Sequence, residues 1–291
     1  MNVMSKFQRR RVSVGDAMLS ALGPGGGPDD DAMVLLHGIP SSAHLWAGVL
    51  QVAPRAGPAV LAPDLPGYGH TRPGAGDTWS LAGAADLLGR WIDQQGLAPA
   101  WLVGHDAGGA VAQILAATRP ELVARLTLVD SIVDGSWPAP RARFATLAAR
   151  FGLYRPAAAL GLVPNVHIRR QVARGFADPA HLAAVDQDAV FWDGKFSDPT
   201  GRWAFQQHLA ALDPADTARI VAALSELAMP TQVVWGTEDV FQTWAVAGRR
   251  LADLLPRPAV TMLDGCGHFL PLECPGRLVD ALLAWRAEAT T

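Results

Sequence analysis

The stretch Trp101-Leu102-Val103-Gly104-His105-Asp106-Ala107-Gly108-Gly109-Ala110 constrains this chain more than any other. A buried-type strand runs straight into an apolar helical pattern over Gly109 to Thr118, with small residues around the joint. Where a strand turns into a helix this sharply, the two backbones nearly touch, and the flanking positions must be glycine or close to it. Gly104, Gly108 and Gly109 satisfy that demand and leave Asp106 at the tip. An aspartate there can serve merely as a helix cap. The G-x-D-x-G spacing also matches a G-x-S-x-G nucleophile turn with a carboxylate in place of the hydroxyl.

Other short apolar runs end in the same kind of residue. Ala32-Met33-Val34-Leu35-Leu36 ends at His37-Gly38, Val60-Leu61-Ala62 at Pro63-Asp64, Arg125 to Val129 at Asp130, and Gln232 to Trp235 at Gly236. Such strands, alternating with helical patterns like Leu81 to Gln94, predict an α/β fold with a mostly parallel central sheet covered by helices on both faces. Ligands of such sheets bind beyond the carboxyl ends of the strands, where these Gly, His and Asp residues fall. Arg11 to Val14 and Ala17 to Leu22, split by Gly15-Asp16, predict an opening hairpin. Gly23 to Asp31 reads as a Gly/Pro/Asp loop.

From Ser131 to about Leu227 the pattern changes. Arg-, Ala- and Leu-rich helical stretches are broken by Pro138, Pro140, Pro156, Pro164, Pro179, Pro199 and Pro214, and Phe191, Trp192, Phe196 and Trp203 cluster among them. A helical cap inserted after the strand ending near Asp130 explains this, with a core of 1–134 and 228–291 and a cap of 135–227. Asp216 to Leu227 is expected to return to the core.

At 291 residues, half of them apolar and 18% charged, the chain can bury roughly three quarters of its extended surface. A net charge of -3 gives no general attraction to a polyanion, so no nucleic acid is expected, and the basic run Lys6 to Arg11 reads as a solvated tail. Cys266 and Cys274 read as free thiols in a reducing compartment. No stretch has the length free of charge that a spanning helix needs, so no membrane partner and a cytoplasmic location are expected.

His37-Gly38-Ile39-Pro40 with Trp46 downstream, Asp64-Leu65-Pro66-Gly67-Tyr68-Gly69, His105-Asp106, Trp235-Gly236-Thr237-Glu238-Asp239 and Gly265-Cys266-Gly267-His268-Phe269 together resemble the aspartate-nucleophile branch of the α/β-hydrolase superfamily. That branch contains epoxide hydrolases, haloalkane dehalogenases and fluoroacetate dehalogenases. The resemblance implies an α/β-hydrolase fold and a carboxylate nucleophile, Asp106. A carboxylate attacks sp³ carbon and leaves an alkyl ester that water must hydrolyse; attack on an ester substrate would give an anhydride instead. The resemblance also makes His268 the base that activates this water. Two acids can orient it: Asp239, three residues past the Trp235-Gly236 strand end, is favoured, and Asp130, 24 residues beyond Asp106, is the alternative, with a joint contribution open. The resemblance further implies an oxyanion hole of two backbone N–H groups, by position those of Ile39 and Ala107.

The leaving group is less determined. Haloalkane dehalogenases generally hold halide with a Trp after the nucleophile and often an Asn after the first His-Gly; this chain has Ala107 and Ile39 there. Fluoroacetate dehalogenases place arginines after the nucleophile, where Ala107 and Ala110 stand here. Epoxide hydrolases usually offer two cap tyrosines. Here Tyr154 is the one tyrosine in the cap, since Tyr68 belongs to the Gly67-Tyr68-Gly69 loop. Opening of an apolar epoxide, aromatic ones included, is nevertheless the favoured expectation, with haloalkane dehalogenation as the alternative and a ligand-binding or non-hydrolytic natural-product enzyme as a further one. Candidate substrate-binding residues are His37, Trp137, Tyr154, Trp192 and Trp203; His37 also suits a hydrogen-bonding role in its loop. The expected partners are a small apolar organic substrate and water, in a monomer or homodimer. No cofactor is implied, and the histidines show no metal-site spacing. Ser41 and Ser131 stand outside any nucleophile turn, and Gly25-Gly26-Gly27 lacks the phosphate-loop pattern.

Overall fold

The computed structural model describes residues 8–23, 32–53, 59–134, 137, 142–163, 166–192 and 198–289. Along the chain run β1 (Gln8–Val14), β2 (Ala17–Gly23), β3 (Met33–Leu36), α1 (Ala47–Val52), β4 (Val60–Pro63), α2 (Leu81–Gln94), β5 (Ala100–His105), α3 (Ala107–Thr118) and β6 (Val123–Val129). Helices follow: α4 (Ala142–Arg150), α5 (Tyr154–Ala159), α6 (Val166–Arg174), α7 (Pro179–Ala184), α8 (Pro199–Ala211), α9 (Ala215–Ala218) and α10 (Val221–Leu224). The chain then forms β7 (Thr231–Gly236), α11 (Arg249–Leu254), β8 (Ala259–Leu263), α12 (Leu270–Glu273) and α13 (Pro275–Glu288).

The strands form one sheet in the order β1-β2-β4-β3-β5-β6-β7-β8. The β1-β2-β4 edge is antiparallel, and every pairing from β4-β3 onward is parallel. Alternation along each strand sorts the apolar runs onto two faces. Val34, Leu36, Leu102, Leu126, Leu128, Val233 and Trp235 join the core beneath α2 and α3. Met33, Leu35, Trp101, Val103, Val129 and Val234 join the opposite core with Trp46, Leu278 and Trp285. Burial on both faces is why these strands read as continuous apolar runs rather than as alternation.

Helix α3 starts at Ala107, two residues earlier than its apolar pattern suggests, because the chain is helical immediately after Asp106. Between β6 and β7 the described residues form helices and turns and no strand. Near the end of this insertion Leu224 is buried in the core cluster that contains Val111 and Ile114 of α3. Gly23 closes β2, while 24–31, and likewise Pro138, Pro140, Pro164 and Phe196, lie outside the described residues. No helix among the described residues is long and apolar enough to cross a membrane.

Two expectations are corrected. The basic run is not simply a solvated tail: Arg9 to Arg11 lie in β1, and Arg9 pairs with the buried Asp64 and donates to Ser20 Oγ at 2.7 Å. Burial alone would raise the Asp64 carboxyl, but Arg9 and the N–H groups of Ala43 and His70 hold it down at about 2. Lys6 itself lies outside the described residues. Nor are the cysteines free: Cys266 and Cys274 are joined in a disulfide across the loop that carries His268. Eight residues apart in sequence, they are brought together by the turn into α12.

Candidate active site

Asp106 sits between β5 and α3 with φ 50° and ψ -117°, a conformation that costs a non-glycine residue about 1–3 kcal/mol. The surroundings hold it there. The Asp106 carbonyl accepts from Gly109 and Ala110, starting the helix, and its N–H donates to Val129 O at 3.3 Å. A Cβ on Gly108 would stand 2.4 Å from Leu36 O, and one on Gly38 would stand 2.5 Å from Asp106 Cβ. Both glycines are therefore required by close approach of backbone, Gly38 specifically because the Asp106 side chain fills the space.

The Ile39 N–H donates to Asp106 Oδ2 at 2.9 Å, and the Ala107 N–H also stabilises the carboxylate. Burial raises the Asp106 carboxyl above its ordinary range, while His268 and these two N–H groups oppose that shift by favouring the anion. The two backbone donors named from sequence position thus converge on one carboxylate.

His268 follows β8 on the Gly265–Phe269 turn. Its Nδ1 donates to Asp239 Oδ2 at 2.9 Å; Asp239 Oδ1 in turn accepts from the Phe241 and Gln242 N–H groups at 2.7 and 2.9 Å. A carboxylate can only accept, so the proton is on Nδ1 and Nε2 carries the lone pair. Burial lowers the imidazole, but the charge and hydrogen bond of Asp239, with Asp106 adding, outweigh it and raise His268 overall. Phe241 meets the ring edge-on at 5.2 Å between centroids.

Asp130, the alternative acid, forms no hydrogen bond to His268 among the described residues. Its Oδ1 accepts from the Gly236 N–H at 2.9 Å, and its Oδ2 has no hydrogen-bond partner among the described residues. Burial pushes this carboxyl well above its usual range, and the neighbouring charge of Asp239 adds to the shift. Both effects favour the protonated form of Asp130, and Asp239 is the acid bonded to the histidine.

Two residues at this site escaped the sequence reading. His105 Nε2 donates to the His268 carbonyl at 2.8 Å, and burial drives its imidazole well below the ordinary range, so it is a neutral tie under His268. Glu273 is more extensively committed. Its Oε2 accepts from Gly267 N–H at 2.6 Å; its Oε1 accepts from Ala177 and Asp178 N–H at 2.8 and 3.2 Å and lies 3.4 Å from His181 Nδ1. One buried carboxylate therefore binds the His268 turn to the inserted helices. Phe269 N–H donates to Gly175 O at 3.2 Å beside it. The signal available in sequence was a lone acid in the apolar run Phe269-Leu270-Pro271-Leu272-Glu273.

The substrate-binding candidates separate. His37 is buried with both ring nitrogens in use: Nε2 accepts from Leu65 N–H at 2.9 Å and Nδ1 donates to Gly38 O at 3.0 Å. It shapes the Ile39 loop. Trp137 is buried and donates its indole N–H to Thr217 Oγ1 at 2.8 Å. Trp203 is 40% exposed and packs edge-on against Trp79. Trp192 is buried beside Phe191, with the Arg169 guanidinium over its ring. Tyr154 is buried against Phe205, which also packs against Tyr68. Tyr68, set aside in the sequence reading, lies over His37 with centroids 5.0 Å apart. Burial raises its phenol, and the charges of Asp106 and Tyr154 act in the same direction. Among the described residues no group of three His, Cys, Asp or Glu side chains is arranged to hold a metal ion.

A strand-helix turn with an acid at its tip, a histidine after the last strand, an acid after the preceding one and two backbone donors define the α/β-hydrolase layout. The family model for the alpha/beta hydrolase fold matches residues 31–275, and the chain belongs to that family. It is 34% identical over 294 residues to the magnesium-chelatase 30 kDa subunit of Rhodobacter capsulatus, covering 97% of this chain and 94% of that protein. A haloalkane dehalogenase of Bradyrhizobium elkani superposes with a TM-score of 0.77 at 24% identity, over 98% of this chain and 99% of that one. An epoxide hydrolase superposes with a TM-score of 0.76, also at 24% identity, over 97% and 99%. At these identities the two structures speak for the fold. Curated relatives are matched over shares of their own length that run from 41% to 94%.

Proposed function

We propose that the chain hydrolyses a small apolar epoxide through a covalent ester on Asp106. The observation that carries this reading is a carboxylate, not a hydroxyl, at the tip of the strained turn, held by the Ile39 N–H at 2.9 Å. One Asp106 oxygen attacks a ring carbon, the C–O bond breaks, and the ring oxygen leaves as an alkoxide that takes a proton. Water then attacks the Asp106 carbonyl carbon while His268 Nε2 accepts its proton, with Asp239 stabilising the imidazolium. The tetrahedral oxyanion rests on the Ile39 and Ala107 N–H groups, and its collapse releases a diol and restores Asp106.

Support for an epoxide over a haloalkane comes from the donors. Ala107 and Ile39 offer no side-chain N–H to a halide. Tyr68 and Tyr154 both pack against Phe205, and the Asp106 charge acts on the Tyr68 phenol, which supports these two phenols as the donors to a developing alkoxide. Haloalkane dehalogenation uses the same nucleophile and base and is separated by the test below.

A second reading rests on the full-length likeness to the magnesium-chelatase subunit: a non-hydrolytic subunit that keeps the fold for binding. Intact mass decides among the three. A His268→Gln variant incubated with mixed epoxides and haloalkanes is expected to gain a covalent adduct on Asp106. A gain of the whole substrate mass identifies an epoxide, and a gain of substrate minus hydrogen halide identifies a haloalkane. A folded variant with no adduct from a broad set of either class favours the binding reading.

A further inference from the structure

Six of the thirteen exposed large apolar side chains among the described residues lie within one short segment: Phe144, Leu147, Phe151, Leu153, Leu160 and Leu162. Phe144 and Leu160 are each 75% exposed and Phe151 is 73% exposed. The segment spans α4, α5 and the turns after them. Phe144, Leu147 and Phe151 recur at i, i+3 and i+7, one stripe of a helix, and the Phe151 N–H still bonds to Leu147 O at 3.1 Å. The residues α4 buries are small, Thr146 and Ala149. An ordinary surface helix turns its large apolar residues inward; α4 turns them out.

Charge distinguishes this face from a plain sticky patch. Positions 135–177 contain seven of the chain's 24 basic residues, all arginine, and none of its 27 acidic ones, in a chain whose net charge is -3. Arg143, Arg150 and Arg155 are exposed, and none of them forms an ion pair among the described residues. Arg143 and Arg150, seven apart, flank the Phe144-Leu147-Phe151 stripe on one side. Arg150 anchors its own flank by donating to Ala210 O and Leu212 O, both at 3.1 Å.

We propose that the α4–α5 face docks on an anionic phospholipid bilayer. Exposed Phe and Leu enter the boundary between headgroups and acyl chains, and arginines beside them reach lipid phosphates. A second copy of this chain is a poorer occupant, because a symmetric pairing would set two acid-free, arginine-bearing faces against each other. The face lies on the membrane and does not span it, so it replaces the expectation of no membrane partner without conflicting with the lack of a spanning helix among the described residues. It does not depend on the hydrolase chemistry.

The test is co-sedimentation of the full chain with vesicles of phosphatidylcholine alone and of equal parts phosphatidylcholine and phosphatidylglycerol. Binding to the anionic vesicles is expected, weakened by salt and much poorer to phosphatidylcholine alone. The double variant Phe144→Ser/Phe151→Ser is expected to bind about ten-fold or more weakly. Each of Arg143→Gln and Arg155→Gln is expected to weaken binding roughly five-fold. All four side chains are exposed, so an unchanged urea unfolding midpoint shows that the fold persists. Failure to bind the anionic vesicles, binding that these substitutions leave unchanged, or sedimentation equilibrium showing a dimer that Phe144→Ser disperses would each overturn the proposal.

Discussion

The carboxyl edge of the sheet and the α4–α5 face treat polar and apolar groups in opposite ways. Around Asp106 and His268, Asp239 is committed to three donors, Glu273 to three N–H groups and His105 Nε2 to a carbonyl, all within the chain. On α4 and α5 large apolar side chains and arginines face outward. The first region is organised by contacts within the chain, so a substitution there is expected to act on chemistry and stability. The second is organised toward something outside the chain, so substitutions there are expected to leave both nearly unchanged.

The largest expected effect within the first region is at Asp106. Asp106→Ala is expected to lower kcat/KM on the order of 10⁴-fold or more with the fold intact, measured by initial rates and thermal melting. Retention of most activity would break the comparison at its centre.

Asp239 and Asp130 provide the next contrast. Asp239→Asn is expected to slow turnover on the order of 10³-fold, because an amide both removes the countercharge and disturbs the Nδ1–H tautomer. The adduct is then expected to accumulate, since ester hydrolysis slows. Asp130→Asn, replacing a carboxyl whose protonated form burial favours, is expected to cost less than about ten-fold by the same assay. A reversal of the two would assign the acid to Asp130.

At Glu273, the Gln variant turns an amide toward N–H groups that had a carboxylate acceptor. A loss of about 2 kcal/mol in urea unfolding is expected, together with a fall in kcat larger than any rise in KM, because Gly267 adjoins His268, the proposed base. Unchanged kcat with lowered stability would make Glu273 a structural tie alone.

The last expectation concerns acid. The Asp64 carboxyl stands at about 2 in the fold against an ordinary 3.8, so its stabilisation is complete above about pH 4 and is lost as pH falls towards 2. The amount is about 2 kcal/mol. His208 acts earlier: burial lowers it to about 4 from 6.5, so the unfolded chain takes up that proton first and stability already declines between pH 6.5 and 4. Urea midpoints measured across this range should show both steps, and Arg9→Gln should flatten the lower one.

What was legible in the sequence follows the same division. Strands β3, β5 and β7 were readable because burial on both faces demands unbroken apolar runs, and the turn at Asp106 because close backbone approach demands glycine. The sequence favoured Asp239 over Asp130 without deciding between them, since both follow strand ends and only the path of the loops brings Asp239 to His268. Long-range ties were equally hidden: Glu273 reaches Ala177 across 96 positions and Arg9 reaches Asp64 across 55. Cys266 and Cys274 looked like free thiols because their pairing depends on the turn between them. Tyr68 was set aside by its place in a loop, whereas packing carries it to His37 and Phe205.

The most direct test of the account is a single turnover in ¹⁸O-water with enzyme in excess over an epoxide found by the adduct screen. If Asp106 forms the ester and water attacks its carbonyl carbon, the first-turnover diol carries unlabelled oxygen and the peptide containing Asp106 gains ¹⁸O. Label appearing directly in the diol, with Asp106 unlabelled, would contradict the covalent mechanism and leave Asp106 as a base or a binding group.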